Sequence, residues 1–328
     1  MDVKWNFLLS EFSRLGGIAE NVCQKEGEFG RGIFSINPKL RSRIYTPSNL
    51  LVRKSDIYLE NNQLRIKKDS KYTKEIRNFF NYYQDNFSWG FGGKEITESF
   101  EKELNCLPYN LKKLLKKCNL VDLEERHKGK FTEVVKKQFL NARAVRFGNC
   151  SVIAPIWDLV NHEVNAYPYE KSFLGLSTPK YKPKASELTF FYGYMSPIQR
   201  IFNYGFFCKE TIVFSMPFSL IINDSGIKLI CKGLDLKDDK IIYETNQSEV
   251  IINGLPIAAI KRPSFIKTYF YKLLDSINVE DVYEDLLSNI ISLNYTKRKE
   301  ILDQFKIINN YSSCNIIKAI TYEMESIS

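Results

Sequence analysis

A chain of 328 residues, 44% of them hydrophobic, carries enough apolar surface for a core of its own, so neither disorder nor a disulfide framework is needed to explain it. Forty-seven Lys plus Arg against 38 Asp plus Glu leave a formal charge of +9, which favours an acidic partner, while two histidines, His127 and His162, exclude a histidine-rich metal cage. Seven cysteines without a C-x-x-C argue against a zinc cluster, and no apolar run approaches the roughly 20 residues of a membrane span.

The first residues lack the basic-then-apolar order of a secretory signal, and the expectation is a soluble, reduced, cytoplasmic protein; nuclear residence fits the same sequence. At about 150 residues per unit, the length suggests two folding units. From Glu20 to Val52, apolar pairs such as Ile33-Phe34 and Ile44-Tyr45 alternate with turn residues and predict short strands. From Tyr72 to about Leu140 the spacing becomes helical: Ile76, Phe79, Phe80 and Tyr83 form one stripe, Leu111, Leu114, Leu115 and Cys118 a second, and Val134, Val135 and Phe139 a third. Lys112, Lys113, Lys116 and Lys117 interleave with the second stripe as the solvated face of an amphipathic helix, so a nucleic-acid partner is not expected. His127, inside the charged run Glu124–Lys128, reads as a surface residue.

The period of two returns in Val152-Ile153-Ala154 and in Leu188–Tyr192. Turns follow at Asn223-Asp224-Ser225-Gly226 and Asn253-Gly254. Beyond Pro263 the spacing is helical, with Phe265, Tyr269, Phe270, Leu273 and Leu274 on one face and Ile301, Leu302, Phe305 and Ile308 on another. The expected organisation is α+β. Residues 1–65 and 141–210 form a β-rich domain, 66–140 a helical insert within it, and 211–328 a mostly helical C-terminal domain.

Four segments carry candidate chemistry. In Glu28–Phe34, Gly30 and Gly32 flank Arg31, and glycines at that spacing let backbone amides approach a ligand. In Asn141–Phe147, arginines alternate at 143 and 146. Pro155–His162 embeds Asp158, Asn161 and His162 among apolar residues, where buried polar groups must be bonded either to the fold or to a ligand. The fourth runs from Glu187 through Tyr192-Gly193 and Ser196 to Tyr204-Gly205-Phe206-Phe207. Each segment alone has an ordinary structural explanation: a tight turn, a solvated strand, a core histidine, a buried tyrosine.

In this order, however, they resemble the SET-domain protein methyltransferases, in the branch of the plant Rubisco large-subunit lysine methyltransferase. The likeness runs by motif from about Gly16 to Phe207. It implies a β-rich catalytic fold of short strands with a knot-like crossing, and S-adenosylmethionine as cofactor. It further implies that Gly30, Arg31, Gly32, Arg143, Asn161, His162, Tyr204 and Phe206 serve the cofactor, and that Tyr192 stands at the methyl-transfer centre. Val145, Trp157, Asp158 and Tyr204 would line the acceptor channel. Trp157 is also found in the related actin histidine methyltransferase, whereas Val145 is typical of neither subgroup.

The chemistry so implied suits a chain poor in histidine. Methyl transfer from a sulfonium is an in-line displacement that demands alignment and a deprotonated amine, with no metal and no covalent enzyme intermediate. The expected enzyme is a monomer that methylates a lysine of a non-histone protein or peptide, an acidic one being favoured by charge, without a membrane partner. Histidine, a peptide N-terminus or a small amine are alternative acceptors, and a binding module that has lost catalysis is the alternative of another class.

Overall fold

Asp2 opens the first helix by accepting a hydrogen bond from the Lys4 backbone N–H at 2.9 Å, and α1 (Val3–Arg14) then buries Trp5, Leu8 and Phe12 at helical spacing. The computed structural model describes residues 2–28, 30–179, 186–222, 225–233, 242–245, 248–260, 263–276, 279, 283–308 and 311–328. Phe29 and the turn residues Asn223 and Asp224 therefore lie outside the described residues.

In chain order there follow β1 (Ile18–Glu20), β2 (Val22–Gly27), β3 (Gly30–Ser35), β4 (Arg43–Pro47), β5 (Val52–Arg53), β6 (Ile57–Glu60) and β7 (Gln63–Ile66). The helical stretch comprises α2 (Lys74–Phe87), α3 (Lys94–Asn105), α4 (Tyr109–Lys117), α5 (Leu123–Arg126) and α6 (Phe131–Arg143). Strands return as β8 (Val145–Phe147), β9 (Cys150–Ile153), β10 (Asn161–His162), β11 (Glu170–Ser172), β12 (Gly175–Ser177) and β13 (Glu187–Phe190), and α7 (Pro197–Tyr204) follows. Then come β14 (Ile212–Phe214), β15 (Phe218–Ile221), β16 (Lys228–Cys231), β17 (Ile242–Thr245), β18 (Glu249–Ile252) and β19 (Pro256–Ala259), and finally α8 (Pro263–Asp275), α9 (Tyr283–Phe305) and α10 (Tyr311–Ile327). The fold is α+β, built from short strands in several small sheets together with helices.

The chain divides into two compact units, residues 1–99 with 129–193 and residues 100–128 with 194–328. In the first unit the strand orders are β1-β4-β12-β11, β10-β13-β3-β2, β5-β9-β8 and β6-β7. The apolar stripes of α2 and α6 turn into the same core as these strands: Ile76, Phe79, Phe80, Tyr83, Val135 and Phe139 pack with Val22, Ile33, Leu188 and Phe190. The helices at the two ends of the stretch from Tyr72 to Leu140 thus belong to the body of the β-rich unit, because their buried faces share its core. Between α2 and α3 the chain kinks at Trp89–Gly93, where Phe91 leaves helical geometry and Gly92 takes φ +86°.

The second unit contains α4, α5, α7 and everything after it, with sheets β14-β19 and β15-β16-β18-β17. Leu111, Leu114 and Leu115 of α4 are buried while Lys113, Lys116 and Lys117 face solvent, as the spacing predicts. The α7 N-terminus carries a capping box of Ser196 and Gln199 with Pro197 in the first turn, and Gly205 closes the helix in the left-handed region at φ +82°. His127 departs from the surface expectation. Its Nε2–H donates to Glu101 at 2.9 Å, and Arg126 Nε donates to the same carboxylate at 3.0 Å. Glu101 is fully buried on α3, and a buried carboxylate must recruit charged donors from its surroundings. Among the described residues no helix is long and apolar enough to cross a membrane.

A second buried charge fixes the C-terminal helices. Arg298 of α9 and Glu323 of α10, 1% and 0% exposed, meet at 2.8 Å. Arg298 also donates to Asn294 Oδ1 and to the Phe214 carbonyl, both at 2.8 Å, and Glu323 accepts the Ile198 backbone N–H at 2.8 Å. Removing one partner strands the other in a low-dielectric interior. Glu323→Ala is therefore expected to cost about 3–5 kcal/mol in a urea titration; a cost under about 1 kcal/mol would show that the network carries little of the fold.

Candidate active site

The site residues converge in the first unit because two non-consecutive strands flank one another. The β2–β3 hairpin turns at Gly27 and Gly30, the latter at φ +81°. β13 pairs antiparallel to β3, Glu187 opposite Phe34 and Leu188 opposite Ile33. β10 pairs parallel to β13 on its other side, Asn161 opposite Thr189 and His162 opposite Phe190. Residues some 130 positions apart in the chain, Arg31-Gly32 and Asn161-His162, thereby come into contact.

At that contact the Asn161 Nδ2 amide donates to the Arg31 carbonyl at 3.3 Å and to Glu187 Oε1 at 2.8 Å. Gly32 is required there: a Cβ at residue 32 would stand 2.6 Å from Asn161 Nδ2 and 2.6 Å from Glu187 Oε1. Burial pushes the Glu187 carboxyl above the ordinary carboxylate range, against the opposing bond from Asn161. The Arg31 guanidinium lies 4.3 Å over the ring of Phe91, in the kink between α2 and α3, and burial lowers its pKa.

His162 is 4% exposed, and its Nδ1 accepts the backbone N–H of Tyr192 at 3.1 Å. An imidazole nitrogen that accepts is unprotonated, so the ring's proton sits on Nε2. The Tyr192 hydroxyl, half-buried, donates to the carbonyl of Val160, the residue just before β10, and its ring lies 5.1 Å from that of His162. Val160 and His162, on either side of Asn161, are thus coupled to Tyr192, thirty residues beyond His162, by two hydrogen bonds, and His162 by a ring contact as well.

Beside them is a half-buried charge cluster. Asp158 accepts from the Tyr83 hydroxyl and from Ser88 Oγ at 2.8 Å. Burial pushes its carboxyl up, opposed by the Tyr83 bond, the charge of Arg143 and the Ser88 bond. Burial, and next the charge of Asp158, hold the Tyr83 phenol well above its usual range. Arg143, at the end of α6, stacks 4.0 Å over Phe139, and burial lowers its pKa against the pull of Asp158. Its guanidinium, with five N–H donors, makes no hydrogen bond among the described residues.

Trp157 is buried between Phe190 and Tyr169, with ring centroids at 4.7 and 5.8 Å, and its Nε1–H has no hydrogen-bond partner among the described residues. Ile156, just before it, holds φ at +72°, a costly conformation for a β-branched residue, of about 1–3 kcal/mol, sustained by full burial. Val145 is half-buried on β8, opposite Val152. Gly30, Arg31, Gly32, Arg143, Val145, Trp157, Asp158, Asn161, His162 and Tyr192 all belong to the first unit. Tyr204 and Phe206 belong to the second, where Tyr204 ends α7, 6.1 Å from the Phe206 ring and 5.2 Å from the Arg200 guanidinium.

Four participants carry no functional signal of their own in the sequence. Tyr83 sits at a core position of a helical stripe, and only its hydroxyl distinguishes it. Ser88 and Phe91 lie in a glycine-rich run whose kink the spacing does not foretell. Glu187 begins a strand, where a charged residue ordinarily marks a solvated edge.

No protein-family model matches the sequence, and no curated protein does. Among solved structures the chain is similar to the SET domain of LSMT bound to lysine and AdoHcy, at 12% identity and TM-score 0.47 over 99% of this chain and 89% of that one. It is similar to Rubisco LSMT bound to AdoMet, at 12% identity and TM-score 0.47 over 100% and 90%. It is also similar to Rubisco LSMT bound to sinefungin and monomethyllysine, at 13% identity and TM-score 0.42 over the same shares. At such identity and superposition no residue role passes from those proteins to this chain, whose chemistry is read from its own side chains.

Tyr83→Phe removes one of the two side-chain donors to the half-buried Asp158 carboxylate. It is expected to cost about 1–3 kcal/mol in a denaturant titration at neutral pH; unchanged stability would mean that Asp158 does not depend on the Tyr83 hydroxyl.

Proposed function

We propose that the protein is an S-adenosylmethionine-dependent N-methyltransferase whose acceptor is a lysine side chain of a non-histone protein. One observation carries the reading: Val160 and His162 are both bonded to Tyr192, and Asn161 between them is bonded to Glu187 beside a glycine-bearing strand. The sequence motifs associate these residues with that chemistry, and their bonding gives each a task in it.

S-adenosylmethionine, when bound, supplies a methyl group made electrophilic by its sulfonium. Its zwitterionic amino-acid end needs an acceptor for the ammonium and donors for the carboxylate. Asn161 fits the first requirement, since its amide nitrogen is committed to Arg31 and Glu187 and its Oδ1 is left as an acceptor. Arg143, a half-buried cation whose donors are unclaimed among the described residues, fits the second. Gly30 and Gly32 keep the strand beside them clear of side chains.

The acceptor lysine arrives with an ordinary pKa near 10.4 and must lose a proton before its nitrogen can attack. Desolvation beside half-buried aromatic rings disfavours the ammonium, and the neighbouring guanidinium of Arg143 disfavours it further. Tyr192, whose hydroxyl is oriented by the Val160 carbonyl, would meet the neutral amine with its oxygen and direct the nitrogen lone pair along the line of displacement. His162 would hold Tyr192 in place through the Tyr192 backbone N–H rather than act as a base. Transfer to the neutral amine would form its N–C bond at the expense of the methyl–sulfur bond, and the amine's extra proton would pass to solvent. The +9 charge favours an acidic substrate protein by steering its encounter.

Three measurements test the reading. Calorimetric titration with S-adenosylmethionine should show one site per chain; no heat at millimolar ligand would refute the assignment. Tyr192→Phe should bind the cofactor as the wild type does while its turnover on a cell extract, followed by labelled methyl transfer, falls at least about 100-fold. Turnover at the wild-type rate would remove Tyr192 from the reaction. Mapping the product by mass spectrometry decides between lysine and histidine as the modified residue.

A further inference from the structure

We propose that Glu187 is a positioning residue that sets the orientation of the Asn161 amide, and through it selects ligands carrying an ammonium group. The inference deepens the cofactor reading above and rests on it.

The Asn161 amide can point in only one direction. The two groups facing the Asn161 nitrogen are the Arg31 carbonyl, at 3.3 Å, and the Glu187 carboxylate, at 2.8 Å. A carbonyl and a carboxylate can only accept, so turning the amide over would place its oxygen against two other oxygens and lose both bonds. The chemistry of the partners therefore fixes the assignment. Oδ1 receives no hydrogen bond among the described residues and is presented as an acceptor. A half-buried acceptor so presented is complementary to a cationic N–H donor, such as the α-ammonium of an amino-acid-like ligand.

The longer of the two bonds, to the Arg31 carbonyl, also lies at the edge of good geometry, so Glu187 supplies the stronger constraint. The chain makes room for it. Residue 32 is glycine, and the position its Cβ would take is shared between Asn161 Nδ2 and Glu187 Oε1, each 2.6 Å away. Glu187 in turn is held by the β13–β3 ladder, opposite Phe34. Without Glu187 the amide keeps one weak partner and populates both orientations, one of which offers the ligand ammonium a repelling NH2 group.

The test compares two ligands against three proteins by calorimetry. S-adenosylhomocysteine carries the α-ammonium; 5′-methylthioadenosine shares the nucleoside and thioether but has no amino-acid group. Glu187→Ala is expected to bind S-adenosylhomocysteine about tenfold more weakly than wild type and 5′-methylthioadenosine unchanged. Glu187→Gln, which loses the charge but keeps an oxygen able to accept from Asn161, is expected to restore affinity to within about threefold of wild type. Equal weakening of both ligands in Glu187→Ala would show a merely structural role and overturn the proposal. Failure of Glu187→Gln to rescue would show that charge acts rather than orientation, and would overturn it too. If the alanine variant does not fold, glutamine alone decides: the proposal requires it to retain selectivity for the ligand with the ammonium. Absence of binding by the wild type would bring down the cofactor reading itself, and this inference with it, whereas tight wild-type binding that is indifferent to residue 187 rejects only the inference.

Discussion

The site depends on a two-residue strand. Asn161 and His162 pair in parallel with β13, and the contacts that join Arg31, Glu187 and Tyr192 are organised around that dipeptide. Its asparagine reaches one way to β3 and Glu187, and its histidine reaches the other way to the backbone of Tyr192. So short a strand forms few ladder bonds of its own, and the side-chain bonds hold it where it is. The carbonyl just before it, of Val160, binds the Tyr192 hydroxyl and closes the unit from a third side. Neighbouring polar groups then stabilise one another, because each of them, left unpaired in a partly buried setting, would cost about 1–3 kcal/mol.

The surroundings accept strain and buried charge in support of that arrangement. Ile156 is kept at positive φ immediately before Trp157 and Asp158. Asp158 is held by Tyr83 and Ser88 and lies within the field of Arg143, so that α2, the kink after it and α6 all converge on one carboxylate. These features are expensive individually and would not persist in a core selected for stability alone. Arg143, which makes no hydrogen bond among the described residues, remains a half-buried cation in the field of Asp158. The second unit uses buried charge differently: Arg298 and Glu323 are fully satisfied by one another and by Asn294, Phe214 and Ile198, and they fix helices rather than present a surface.

Much of this is legible in the sequence, and the reasons differ by element. The helices show because their apolar residues recur at 3.6-residue spacing, as Leu111, Leu114 and Leu115 do, and that spacing survives in the structure. The importance of Gly32 and Asn161 shows through motif order, although only coordinates reveal that the glycine is needed because the asparagine amide and Glu187 occupy its missing side chain. Glu187, Tyr83 and Ser88 do not show, because their roles arise from contacts across 26, 75 and 70 residues that no local pattern encodes. His127 misleads for the same reason: its charged neighbourhood in sequence says nothing of Glu101, buried 26 residues earlier on another helix.

The most direct test is a crystal structure of the chain grown with S-adenosylhomocysteine. The account predicts the ligand's amino group within hydrogen-bond distance of Asn161 Oδ1, with the amide nitrogen still turned to Glu187 and the Tyr192 hydroxyl facing the sulfur end. A ligand bound elsewhere, or an Asn161 amide turned over so that its oxygen faces Glu187, would contradict it.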